Sequence, residues 1–185
     1  VAKMLGLGFP GGPKVDKLAK DGNPRYVKFP RPYLEEGSFD FSFSGLKTAV
    51  LYYLRNHGLL GDTGSALAGR STEVEHSHLG RSLLADLCAS FQAAVVDVLV
   101  EKTIRATEQY QVKDIGVAGG VSANSELRRR MKEEGERGGF RVHFPEMEYC
   151  TDNGAMIAYV GWLKLRAGFP SVPDEIKAVA NLQIT

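Results

Sequence analysis

Cysteine is scarce: Cys88 and Cys150 are the only two in 185 residues, and they form no CxxC spacing. No disulfide framework can be built from them, which suits a reducing, cytoplasmic compartment. Charge of one sign is not in excess either. The formal net charge is +1, so no global field argues for or against nucleic acid, although a local basic patch can still exist. No apolar run approaches the roughly 20 residues of a membrane span, and no membrane is expected. The opening "VAKMLGLGFPGG" has too short an apolar stretch for a signal peptide and no cleavage-like site. An initiator methionine is missing, so Val1 is expected to follow a cut, a truncation or a segment outside this sequence. Neither GxxxxGK[ST] nor GxGxxG occurs, and neither HExxH nor HxxxH. The common phosphate-loop, dinucleotide and zinc-helix fingerprints are thereby excluded. What is present, 43% apolar and 24% charged residues, describes an ordinary globular chain. Its length suits one domain with appendages and a substantial core.

The patterning predicts an α/β protein. Residues 1–7 read as the last turns of a helix stopped by Gly8 and Pro10, and "PGGP" at 10–13 as a turn. Pro13 suits the first position of a short helix reaching about Lys20. Residues 21–38 contain three prolines and read as loop or edge strand. Phe39, Phe41 and Phe43 alternate with polar residues, the period of a half-buried strand. Ser44 can cap a helix carrying Leu46, Ala49, Val50, Tyr53 and Leu54 on one face, ended by Gly58. Residues 58–70 are Gly-rich and polar and read as a mobile loop. Ser71, Thr72 and Glu75 resemble a capping box. A long core helix then runs to about Tyr110, with Gly80 a candidate break and Leu83, Leu84, Leu87, Phe91, Val95, Val98 and Leu99 as its apolar stripe. "VKDIGVAGG" reads as a buried strand, and a helix follows from Asn124 or Ser125. "FRVHFP" reads as a second strand, and a last helix starts at Thr151 or Asp152 and ends at Gly168. The tail 169–185 shows no pattern. Strand–helix–strand–helix order over 112–168 points to parallel pairing.

Four stretches can carry chemistry. In "GVAGGVSANSELRRRM", Gly119 and Gly120 allow close backbone approach to a phosphate or ribose, and the helix behind them offers unpaired N–H groups. Asn124 can cap that helix or turn its amide to a ligand; a tight corner with a cap is an equally good reading. In "CTDNGAMIA", Asp152 is either a plain helix cap or a carboxylate at the C-terminal rim of a sheet, able to hold a metal. In "PGGPKVD", Asp16 lies four residues after Gly12, on the first turn of a helix behind a glycine loop, a geometry suited to ribose hydroxyls. Alone, it reads better as a surface turn. In "SFSGLKT", Lys47 opposes the helix dipole and hints at an anionic partner. His57, His76, His78 and His143 have no metal-ligand spacing; His76 and His78 would diverge on a helix. Arg128, Arg129, Arg130, Lys132 and Arg137 form a basic helix face, ordinarily solvated but able to touch RNA phosphates.

Taken together and in order, "FPGGPKVDKLA", "FPRP", "DFSFSGLKTAV", "VAGGVSANSELRRRM" and "CTDNGAMIA" resemble the TsaD family, the Gcp-type tRNA N6-adenosine threonylcarbamoyltransferases, from Val1 to about Trp162. The bacterial branch fits best. The resemblance implies an actin/hexokinase-like (ASKHA, RNase H-like) fold of two lobes around a nucleotide cleft. It implies transfer of threonylcarbamoyl from threonylcarbamoyl-AMP to N6 of the adenosine beside the anticodon of tRNAs reading ANN codons. By position, Asp152 matches the family's metal aspartate, for iron or zinc (Fe2+ or Zn2+). Gly12, Asp16 and Asn124 match contacts to an ATP/AMP-type nucleotide, with Gly119, Gly120 and Lys47 nearby. tRNA and TsaB-like and TsaE-like proteins are the implied partners.

This sequence departs from the family pattern in one respect. The His-x-x-x-His metal pair, a Ser-Gly-Gly-His phosphate turn and a further aspartate are expected upstream of "PGGP" and do not occur. Residues 1–168 are therefore expected to be a C-terminal lobe lacking its first strands, with 169–185 a tail. Such a piece is expected to be inactive alone and to expose a sheet edge. Two alternatives stay open: a non-catalytic nucleotide-binding or scaffold module of the tRNA-modification complex, and a different carbamoyltransferase of the same broad fold, against which "CTDN" and "SFSGLKT" argue.

Overall fold

The computed structural model describes residues 1–31, 37–59 and 80–169. The predicted capping box at 71–75, most of the predicted loop at 58–70 and the tail from 170 on lie outside them. Two compact units emerge, Val1–Cys150 and Thr151–Thr185. The first contains helices α1 (Gly11–Ala19), α2 (Ser44–Asn56), α3 (Arg81–Gln109) and α4 (Ser125–Gly138), and strands β1 (Asp114–Gly116) and β2 (Arg141–His143). Short 3-10 turns at Gly120–Ala123 and Met147–Tyr149 join them. The second holds helix α5 (Gly154–Arg166).

The 29-residue α3 is the axis of the first unit. Its N-terminal half packs with α1 and α2 through Leu84, Leu87 and Cys88 against Val15, Ala19, Leu46, Val50 and Leu54. Its C-terminal half packs with β1 and α4 through Val96 and Val100 against Ile115, Leu127 and Met131. Two apolar clusters thus share one helix, which is buried on several sides rather than along one stripe. By length and composition α3 could cross a membrane, contrary to the expectation that no stretch of this chain could; 61% of its most apolar window is buried inside the protein, where that apolarity forms the core.

β1 and β2 pair in parallel, Asp114 opposite Arg141, Ile115 opposite Val142 and Gly116 opposite His143. The expected parallel arrangement is therefore present, but each strand is only three residues long and only Ile115 of β1 is buried. At the edge of this pair Asp114 accepts hydrogen bonds from Arg141 Nε at 2.7 Å and pairs with His143 Nε2 at 2.9 Å. These bonds, Arg141 foremost, hold the Asp114 carboxyl well below the usual carboxylate range.

Several local expectations change. Residues 39–43 form no strand. Instead, Arg105 donates to the Ser38 carbonyl at 2.6 Å and Lys102 to that of Asp40. The two cations also sit over Phe39 and Phe41. Side chains of α3 satisfy this backbone where a neighbouring strand would otherwise do so. Ser44 is the first residue of α2, not its cap; Phe43 precedes the helix without a capping side chain. Pro13 is the third residue of α1, whose first turn includes the glycines read as a turn. Gly80 marks a boundary as foreseen, immediately before α3. In α5 the cap is Asn153, whose side chain accepts from the Met156 N–H at 3.1 Å. Thr151 and Asp152 lie outside the helix.

Candidate functional site

β1 ends at Gly116, and the chain turns through Gly119 before the 3-10 turn begins at Gly120. Gly119 has φ 82° and ψ 172°, a region that side-chain-bearing residues rarely enter, so this corner requires glycine. Asn124 then caps α4, its Oδ1 accepting from the Leu127 N–H at 2.9 Å. Read alone, that is the bland corner-and-cap arrangement.

The rest of the Asn124 side chain does more. Its Nδ2 donates to Asp16 Oδ1 at 3.1 Å and to Gln92 Oε1 at 2.8 Å. Asp16 Oδ1 also accepts from the backbone N–H of Ser125 at 3.2 Å and from Ser125 Oγ at 2.9 Å. Two candidate residues 108 positions apart in sequence are thus hydrogen-bonded to each other. Asp16 stands four residues after Gly12 on α1, so both lie on one helix face, and Gly12 is exposed with open space where a side chain would be. The close packing in this turn belongs instead to Gly11, where an added Cβ would come within 2.6 Å of Ala2.

This arrangement changes what the α4 N-terminus can bind. Two of the N–H groups that could cradle a phosphate are engaged within the chain, Ser125 N–H by the Asp16 carboxylate and Leu127 N–H by Asn124. A carboxylate already occupies the positive end of the helix and repels a second anion. Asp16 Oδ2 accepts no hydrogen bond among the described residues. What the site offers a ligand is therefore acceptor capacity, which suits hydroxyl donors such as those of a ribose better than phosphate oxygens.

The remaining candidates stand apart from this cluster. Lys47 is exposed in the first turn of α2, and no hydrogen bond ties it to Asp16 or Asn124. The basic face of α4 is largely engaged within the protein. Arg128 donates to the carbonyls of Ser122 and Pro145, Arg129 bridges Glu126 and Glu133, Arg130 bonds Asp97, and Arg137 bonds Glu134. His57 stacks on Tyr53 and His143 pairs with Asp114; His76 and His78 lie outside the described residues.

Asp152 belongs to the second unit, where it is exposed and is not the cap of α5. Among the described residues no group of three or more His, Cys, Asp or Glu side chains could hold a metal ion. A single exposed carboxylate does not make a metal centre, so these residues alone do not fit one.

Pattern reading missed Gln92 and Ser125. Gln92 is buried, 8% exposed, on a stretch of α3 where Ala89, Ser90, Ala94 and Val96 are also buried. The available signal was its polarity within an apolar stripe, since a buried carboxamide needs a partner. Ser122 is also fully buried. Its Oγ has no hydrogen-bond partner among the described residues, and it lines a small cavity of about 140 Å³ with Leu99, Thr103 and Val121.

Comparison with known proteins agrees with the motif order. A family model described as TsaD, tRNA N6-adenosine threonylcarbamoyltransferase, matches residues 1–159. Proteins of that name from Ralstonia pickettii and Moorella thermoacetica are 47% and 46% identical over 173 and 185 residues, covering 94% and 100% of this chain. One from Thermotoga neapolitana is 41% identical over 184 residues. The chain spans about half the length of these relatives, 46% to 49%. With the family model covering most of its residues, the chain belongs to the TsaD family of tRNA N6-adenosine threonylcarbamoyltransferases.

Proposed function

We propose that this chain forms part of an enzyme that transfers a threonylcarbamoyl group from threonylcarbamoyl-AMP to N6 of the adenosine beside the anticodon in tRNAs reading ANN codons. The observation that carries this reading is the hydrogen-bonded pair Asp16–Asn124, which joins the two nucleotide-contact candidates across 108 residues of sequence. In the proposed reaction the N6 amine attacks the carbamoyl carbon. The bond from that carbon to the phosphate oxygen breaks, AMP departs, and N6 loses a proton. Asp16 and Asn124 hold the adenosine side of the donor, Asp16 accepting from ribose hydroxyls over the open surface at Gly12. Gly119 and Gly120 shape the corner that lets the nucleoside approach. Fixing the donor in this way lowers the entropic barrier to attack.

Residues 1–168 are read as the second lobe of an actin/hexokinase-like fold, with 169–185 its tail, acting in the cytoplasm with TsaB-like and TsaE-like partners. Asp152 is proposed as one carboxylate ligand of an iron or zinc ion; with no group of three or more candidate ligands among the described residues, no step of the reaction is assigned to that ion.

The test uses the protein as its gene encodes it, supplied with tRNA and threonylcarbamoyl-AMP, and measures threonylcarbamoyladenosine in digested tRNA. Asp16→Ala and Asn124→Ala are expected to lower formation at least about tenfold, the first by removing the acceptor offered to the ribose and the second by releasing the Asp16 carboxylate that Asn124 holds in place. Wild-type rates in both variants would refute the site. Asp152→Ala should lower the metal content of the purified protein; unchanged content removes Asp152 from the ligand set.

A further inference from the structure

We propose that Gln92 is a positioning residue of this site: its carboxamide oxygen holds the Asn124 amide in the orientation that lets Asn124 cap α4 and bind Asp16 at once. The inference rests on the nucleotide-site reading of Asp16 and Asn124.

The donor directions in this network are forced. The Leu127 backbone N–H can only donate, so the Asn124 atom 2.9 Å from it is Oδ1. The other terminal atom is then Nδ2, with two hydrogens and no acceptor capacity. One hydrogen goes to Asp16 Oδ1 at 3.1 Å, and the other to Gln92 at 2.8 Å, whose facing atom must be Oε1. One backbone N–H therefore sets the orientation of both carboxamides.

Gln92 occupies a place where this matters. It lies on α3 within the first apolar cluster, between Ala89 and Ala94, and close to Val96, where the second begins. An amide hydrogen left unpaired beside such a surface is unfavourable. Without the Gln92 oxygen, Asn124 would relieve its stranded hydrogen by rotating, weakening its bond to Asp16 or its cap. Asp16 comes from α1, Asn124 from the start of α4 and Gln92 from α3. Gln92 is thus the link that ties the pair to the central helix.

Two substitutions in the full chain test this. Gln92→Met removes the acceptor at nearly equal length, and Gln92→Glu keeps an oxygen in the same place. Hydrogen exchange of the Asn124 side-chain amide, read by NMR without ligand, is expected to quicken roughly tenfold in Gln92→Met. In Gln92→Glu it is expected to stay near the wild-type rate. Unchanged exchange in Gln92→Met overturns the proposal, as does equal loss of protection in Gln92→Glu. If Gln92→Met does not fold, Gln92→Ala, which removes the same acceptor, takes its place on the same criterion.

Adenosine affinity provides the second readout. Gln92→Met should weaken it roughly fivefold, and should have no further effect in an Asn124→Ala background, because the two act through one interaction. Equal weakening in both backgrounds would mean that Gln92 acts independently of Asn124, and would overturn the proposal. Failure of adenosine to bind the wild-type chain would reject the site reading itself, a failure told apart from that of Gln92 because the exchange rates are measured without ligand.

Discussion

Asn124 combines two roles that two measurements on a single substitution can separate. Asn124→Ala removes the cap on Leu127 and both Nδ2 bonds. Thermal unfolding should show a loss of about 1–2 kcal/mol. Nucleotide affinity should fall as well; lost stability with unchanged affinity would leave Asn124 a cap only. Gly119 is a purely conformational requirement. Gly119→Ala, at φ 82° and ψ 172°, should cost about 1–3 kcal/mol in a denaturant titration although no neighbouring atom obstructs a Cβ. Cys88 is fully buried, and burial pushes its thiol up to about 11 from an ordinary value near 9. It should resist a thiol reagent at about pH 8 until the protein unfolds. Between the two values the unfolded chain binds fewer protons than the native one, so this contribution to stability is present below 9 and is lost as pH rises toward 11. A flat stability profile across that range would contradict the assignment. Asn124 and Asp16 were visible as candidates because glycines and caps carry positional meaning. Gln92 was not, because its role depends on what faces it across three helices.

The elements are held together by few but well-placed charges. Asp97 on α3 accepts from Arg31 Nη2 at 2.9 Å and from Arg130 Nη1 of α4 at 2.9 Å, with all three side chains between 25% and 30% exposed. One carboxylate thus joins the segment before residue 32 to two helices. Asp97→Asn should lower the urea midpoint by the equivalent of about 1–2 kcal/mol, with an unchanged slope. An unaltered midpoint would show that the bridges are neutral in net effect. Helices α1, α2, α4 and α5 were legible to within a few residues, because 3.6-residue periodicity and glycine stops are local signals, whereas residues 1–7, expected as the end of a helix, form turns. The aromatic alternation at 39–43 was a real period-two pattern that formed no strand. A strand requires a partner, and what lies alongside here is the cationic side of α3. Lys102 and Arg105 accept that role through carbonyl and ring contacts that no pattern within 39–43 reveals.

Binding should be coupled to folding of the first unit, because the candidate site draws Asp16, Gln92 and Asn124 from three separate helices. Adenosine at a hundred times its dissociation constant should therefore stabilise the protein by about 2.7 kcal/mol, seen as a concentration-dependent rise in melting temperature. No rise at saturation would mean that the ligand binds elsewhere, or binds the unfolded chain equally. The family was legible in residue order, since "PGGP", "SFSGLKT", "GGVSAN" and "CTDN" succeed one another along the chain. So were the α/β class and the parallel pairing, because turn chemistry and periodicity are written in short stretches; Asp16 and Asn124 stood out over plainer readings only as positions that the family resemblance implies. Three-dimensional packing settled the rest. It filled the α4 N-terminus with the Asp16 carboxylate, made a corner open to either a phosphate or a plain cap into a surface that offers acceptors, and engaged the arginines of the basic face with partners within the protein. Those outcomes depend on contacts between residues tens of positions apart, and such contacts form only when α1, α3 and α4 pack against one another.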